Sequence, residues 1–122
     1  MQYLLSLNQR YWAPLTIVLL MIVTAGSLEP NHGPLPEALP WDKARHFLAY
    51  GALTLPIALT RPRHWGLLLA GMVGWSVAIE CAQPFVGRVC DIRDFLANAS
   101  GVMLALLGAE IMRHMAVSHW RR

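Results

Sequence analysis

Charge is scarce in this chain. Asp, Glu, Lys and Arg make up 14% of its 122 residues, where a soluble domain carries roughly 25%. Together with 56% apolar residues and a mean hydropathy of +0.42, the shortage argues against a soluble globule and for a membrane protein. Cysteine is scarce as well. Cys81 and Cys90 cannot build a disulfide scaffold, and no CxxC or zinc-ligand spacing occurs; if both face an oxidising compartment, they can pair with each other. Internal repeats and low-complexity runs are absent. Basic residues exceed acidic ones, ten to seven, but they are scattered rather than striped, which argues against nucleic acid as a partner. In a membrane protein they report topology instead. The length suits one compact unit, here a single domain over residues 1–122.

What is present is a set of apolar blocks separated by polar punctuation. Residues 11–28 hold no charged side chain, a length that suits a membrane-spanning helix. Tyr11 and Trp12 sit where interface anchors belong, and Pro14 suits a first turn. A cleaved leader ending near Ser27 is the competing reading, disfavoured by the single basic residue ahead of a long apolar run. Residues 29–40 carry four prolines and a glycine, which predicts an extended loop. Asp42 is placed to cap a second helix over 42–60, with a kink expected at Pro56. After the basic turn at Arg61 to His64, a third helix is expected over about 65–83. Its Gly71, Gly74 and Ser76 are small enough for close helix approach. A loop runs from Pro84 to Cys90. Asp91 can cap a fourth helix over about 91–112, with Asp94 in its first turn and Gly101, Ala105 and Gly108 along one face. The expected fold is all-α: a four-helix transmembrane bundle.

Counting basic residues orients the bundle. With a cytoplasmic N-terminus, the inner side holds six (Arg10, Arg61, Arg63, Arg113, Arg121, Arg122) and the outer side four (Lys43, Arg45, Arg88, Arg93). The outer four lie beside acids, and the inner six are mostly bare. Both termini are therefore expected in the cytoplasm, in a cell inner (plasma) membrane protein of several passes. From His46 to Thr60 a helix extends only roughly 22 Å, against a hydrocarbon core roughly 30 Å thick. His46 and Lys43 must then lie near or below the outer interface, and the same holds for Glu80, Gln83, Asp94 and Asn98. The polar residues are expected to form a notch on the outer side.

Asp42, His46 and Tyr50 are spaced to share one helix face; so are Glu80 and Gln83, and so are Asp91, Asp94, Asn98 and Gly101. Ionisable groups at hydrocarbon depth mark functional sites by default. The helix starts at Asp42 and Asp91, with Lys43, Arg88 and Arg93, form an anion-attracting centre. The ordered set Asp42-Lys43-x-x-His46-Phe47-x-x-Tyr50, Glu80-x-x-Gln83, Arg88, Asp91-x-x-Asp94 and Asn98-x-x-Gly101 resembles the VanZ-like family, over residues 42 to about 108. That family is named for a small membrane protein associated with resistance to the glycopeptide teicoplanin. The resemblance implies a small helical membrane protein linked to the cell envelope, and it implies no agreed biochemical activity.

Three functions follow from the residues. The first is binding or processing of a phosphorylated lipid or lipid-linked headgroup from the outer leaflet. Lys43, Tyr50, Gln83, Arg88, Asp91, Asp94 and Asn98 would bind it, with Lys43 and Arg88 on the phosphate. In an enzymatic version His46 acts as nucleophile or acid/base, oriented by Asp42 or Glu80. The spacings of familiar lipid phosphatases are absent, so whether the protein is an enzyme stays open. The second is a noncatalytic envelope protein that docks a partner, such as a glycopeptide target. The third is a divalent-metal site of His46, Glu80, Asp91 and Asp94, disfavoured by the nearby Lys and Arg, which compete for the carboxylates. The reading assigns no metal and no cofactor.

Overall fold

The structure, a computed structural model, describes residues 2–30 and 40–118. Four helices follow one another: α1 (Gln2–Ser27), α2 (Pro40–Thr60), α3 (Trp65–Ala82) and α4 (Ile92–Ser118). A single 3₁₀ turn, Gln83–Val86, joins α3 to the segment before α4. No strand occurs among the described residues, and the all-α, four-helix expectation holds. Of the loop expected over 29–40, residues 31–39 lie outside the described residues, and Pro40 already belongs to α2.

Three stretches are long and apolar enough to cross a membrane: Ser6–Ser27, Trp65–Val86 and Ile92–Ala116. Their outward faces carry Met21, Leu67, Met103 and Leu107, all exposed. Bare apolar surface of this extent suits lipid rather than water. Helix α2 is not in that group, because its first turns hold Asp42, Lys43 and Arg45. It is the innermost helix instead, packed along α4 and α1 and touching α3. Tyr50, Leu53 and Ile57 are almost wholly buried there, joined by Met72 and Val102 and flanked by Trp12, Leu19, Leu20 and Leu106. A helix wrapped by its neighbours has little need of a lipid-facing apolar surface.

Small residues set the α2–α4 spacing. A Cβ at Gly101 would overlap the Phe47 carbonyl oxygen, and one at Gly51 would meet the Gly101 carbonyl oxygen at 3.5 Å. The small-residue face of α4 continues through Ala105 and Ala109, both buried, and not through the expected Gly108, which meets nothing. Gly71 and Gly74 on α3 also face open space; Ser76 alone of the expected small trio is buried against a neighbour.

Helix boundaries differ from expectation where tertiary contacts decide them. The first helix starts near residue 2 rather than 11, and Asn8 ties its early turns to α2 by donating to the Pro56 carbonyl (3.1 Å) and to Thr60 Oγ1 (2.7 Å). Helix α2 runs unbroken through Pro56 and begins at Pro40, so Asp42 lies in its first turn and is not its N-cap. Helix α4 extends to Ser118 instead of 112; His114 pairs with Glu110 at 3.2 Å along the added turns. At the end of α2, Arg61 takes the left-handed conformation (φ 46°), and its N–H closes on the Ile57 carbonyl at 2.8 Å. Its guanidinium bonds Glu110 at 2.5 Å and stacks on Trp65 at 5.0 Å. That tie fastens α2, α3 and α4 at the end opposite the polar residues.

Candidate functional site

The start of α2 faces the start of α4, and the ionisable residues of both meet there. Asp91 is the N-cap of α4: its Oδ1 accepts the Arg93 backbone N–H at 2.9 Å, as short polar side chains do at helix starts. Its Oδ2 accepts Lys43 Nζ at 2.7 Å. Lys43 also donates to Asp94, one turn into α4, so one ammonium bridges two carboxylates. Lys43 and then the Arg93 N–H hold the Asp91 carboxyl below its ordinary range, because both favour the charged form.

Arg88 reaches the same place through backbone geometry. Gly87 closes the 3₁₀ turn with φ at 76°, a left-handed conformation that glycine adopts without strain. The Arg88 N–H then returns to the Gln83 carbonyl at 3.1 Å, a helix-closing reversal. The reversal brings the guanidinium to Asp42, Nη2 to Oδ1 at 3.6 Å.

A second layer lies deeper. His46 Nδ1 is 3.1 Å from Asn98 Oδ1, and Asn98 Nδ2 donates to Ser76 Oγ at 2.7 Å. Since the amide oxygen only accepts, His46 donates from Nδ1. Its Nε2 faces Asp94 Oδ2 at 3.7 Å. Glu80 is 5% exposed, with Oε1 3.9 Å from His46 Nδ1. Neither of its oxygens has a hydrogen-bond partner among the described residues.

Of the residues singled out in the sequence, Asp42, Lys43, His46, Glu80, Arg88, Asp91, Asp94 and Asn98 form one connected cluster. Tyr50 lies one turn further in, 1% exposed, its hydroxyl without a hydrogen-bond partner among the described residues. Gln83 is buried toward α1, donating to the Ser27 carbonyl at 3.4 Å, and its backbone carbonyl accepts the Arg88 N–H. Cys81 and Cys90 are exposed and unpaired.

Two residues were missed. Ser76 reads in sequence as a small spacer, yet its hydroxyl anchors Asn98; only its position one turn before Glu80 hints at that. Arg45 reads as a topology marker, yet it lines a cleft of about 340 Å³ between α1 and α2. The cleft is walled by Ile22, Val23, Leu48 and Ala49 and headed by Asp42, Arg45, His46 and Arg88. Asp42, His46 and Asp94 could also hold a cation, each offering a ligand atom within 4.8 Å of the others.

Apolar helices of membrane-crossing length around a buried ionic cluster define a helical membrane protein whose polar site lies at one end of the bundle. The family model described as VanZ/LLP1 matches residues 3–113, nearly the whole chain, and the protein belongs to that family. No curated protein and no solved structure gives a significant match.

Proposed function

We propose that the protein binds a phosphorylated lipid or lipid-linked headgroup from the outer leaflet of the inner membrane, with both termini cytoplasmic. The observation that supports this best is the cleft between α1 and α2. Its walls, Ile22 and Leu48, are apolar and more than half exposed, and so suit acyl chains. Its head carries Arg45 and Arg88 beside His46, and so suits an anionic group. About 340 Å³ is within the size of ligand pockets, which begin at roughly 300 Å³. Lys43 is engaged by Asp91 and Asp94, so contact with the phosphate falls to Arg45 and Arg88. His46 lines the same cleft and has the place of an acid/base in an enzymatic version.

A second reading keeps the cluster purely structural. The ion pairs Lys43–Asp91 and Arg88–Asp42 favour it, since they join two helix starts without any ligand. Lipid binding separates the two readings. The purified protein would be incubated with anionic phosphatidylglycerol or zwitterionic phosphatidylcholine, and retained lipid counted by native mass spectrometry. The wild type should retain phosphatidylglycerol preferentially. Arg88→Lys, folded by melting temperature, should bind it about 10- to 100-fold less well, the equivalent of losing a charge-assisted pair worth about 1.5–3 kcal/mol. If Arg88→Lys melts early and retains phosphatidylglycerol normally, Arg88 is a structural tether and the lipid reading is wrong.

A further inference from the structure

One carboxylate of the cluster stands apart from the rest. Asp42, Asp91 and Asp94 lie against Lys43 and Arg88, with Arg45 beside Asp42 at the cleft. Lys43 lies between Asp91 and Asp94. Arg88 lies 3.6 Å from Asp42, too far for a hydrogen bond. Glu80 has two buried oxygens and no hydrogen-bond partner among the described residues, with Oε1 3.9 Å from His46 Nδ1. Buried charges are ordinarily paired or coordinate a metal.

The histidine is arranged in the way that serves a metal. Ligating imidazoles donate their second ring N–H to an outer partner, which fixes the tautomer and ring orientation. His46 does this through Nδ1 to Asn98, and Asn98 is fixed in turn by Ser76. Its other ring nitrogen, Nε2, faces Asp94 Oδ2 at 3.7 Å, beyond hydrogen-bond distance. Lys43 holds the other oxygen of Asp94, which leaves Oδ2 free on the side of His46. Asp42, one helical turn before His46, adds a third ligand atom, and all three fall within 4.8 Å of one another. Small side-chain rotations close that spread to the ~3.4 Å edge of a tetrahedron built on ~2.1 Å bonds.

We infer that Asp42, His46 and Asp94 bind a divalent cation, with Asn98 and Ser76 positioning the imidazole and Glu80 behind it. One nitrogen and two carboxylate donors suit Zn²⁺ or Mn²⁺ better than Ca²⁺ or Mg²⁺, which take oxygen alone. The set differs from the one expected in the sequence: Asp91 belongs to Lys43, Glu80 backs the histidine, and Asp42 takes their place. Three protein ligands leave a coordination position open, as in catalytic zinc sites. Asp42 and His46 also head the lipid-facing cleft. The ion lies at the mouth of that cleft, where an anionic group reaches it, but the site stands whether or not a lipid binds.

The experiment uses the full chain in detergent, stripped with chelator and delipidated. Zn²⁺ is titrated by calorimetry, and Mn²⁺ by the loss of its free-ion paramagnetic signal. One ion per chain is expected. His46→Gln and Asp42→Asn should abolish stoichiometric binding. Asn98→Ala should weaken it about 10- to 100-fold, as loss of an outer partner does. Asp91→Asn, outside the ligand set, should still take up one ion. Melting temperatures of the chelated proteins identify any unfolded variant, and Asp42→Asn, at a partly exposed first turn, is the informative one if His46→Gln does not fold. Absence of stoichiometric binding by the folded wild type overturns the inference, as does full binding by folded Asp42→Asn. Phosphatidylglycerol retention is measured separately with chelator present, so a failed metal site and a failed lipid site give different results.

Discussion

Gly101 of α4 lies directly against the main chain of Phe47 in α2, so close that a Cβ at position 101 would overlap the Phe47 carbonyl oxygen. The contact is one residue beyond His46 and three beyond Asn98. It therefore sets the distance across which His46 and Asn98 hydrogen-bond.

Gly101→Ala should destabilise the bundle by about 1–3 kcal/mol, the usual range for forcing a methyl group into a packed contact. Backbone opposes backbone here, so no side chain can yield. Gly51→Ala meets only an ordinary 3.5 Å contact, and Gly74→Ala meets open space. Thermal melting in detergent should rank Gly101→Ala lowest, with Gly74→Ala at or above wild type. Equal melting temperatures for all three would mean that α2 and α4 pack differently.

Much of this arrangement was legible in the sequence because it follows from periodicity and length. Asp42, His46, Asp94 and Asn98 had to share depth, since the apolar stretches beyond them are too short to cross a membrane without them. Asp91 as a cap followed from the residue type alone. Other features depend on which helix faces which. Nothing in the spacing shows α2 as the innermost helix, Ser76 as the anchor of Asn98, or Arg45 at a cleft formed with α1. Gly71 and Gly74 look in sequence like Gly101, yet only Gly101 meets another backbone. The α2 boundary at Pro40 was misjudged because Asp42 makes a good cap by type, while it also stabilises a helix from within the first turn.

Lys43 and Asp94 should respond unequally to mutation. Lys43→Met leaves Asp94, 4% exposed, and Asp91 as neighbouring carboxylates without their shared cation. Lys43 is partly exposed, so the loss falls below that of a fully buried pair and should be about 2 kcal/mol. Asp94→Asn leaves Lys43 still bonded to Asp91 and should cost nearer 1 kcal/mol, the typical contribution of one hydrogen bond. The double variant should fall closer to Asp94→Asn than to the sum. Chemical or thermal unfolding of the three proteins measures this, and simple additivity would refute a shared network.

Asp91 gives the fold an acid-sensitive element. Its folded carboxyl titrates below the ordinary value because Lys43, and then the Arg93 N–H, favour the anion. A group with a depressed folded pKa stabilises the protein fully above its unfolded value, about 3.9 for Asp. That stability fades as pH falls through the folded value. Asp91→Ser keeps a capping oxygen and removes the charge. The melting-temperature gap between wild type and Asp91→Ser should therefore be constant near neutrality and shrink below about pH 4. A gap unchanged down to pH 3 would show that Asp91 acts only as a cap.

Glu80 tests the site from behind the histidine. Both its oxygens are buried without a hydrogen bond among the described residues, and Oε1 lies 3.9 Å from His46 Nδ1. In the chelated protein such a buried carboxyl opposes folding, since a buried polar group without a hydrogen bond is costly. Glu80→Gln keeps the shape and removes the charge, so it should raise the melting temperature of the chelated protein. With Zn²⁺ present the order should narrow or reverse, because the wild-type carboxylate then has a dication to balance. A helix-locking role predicts the opposite: Glu80→Gln would melt early with and without metal, since the pairing with His46 would be lost in both. Four melting curves, two proteins with and without the ion, decide between these outcomes. The sign of the chelated difference alone is sufficient to reject an unmet Glu80 carboxyl, independently of whether the lipid site exists.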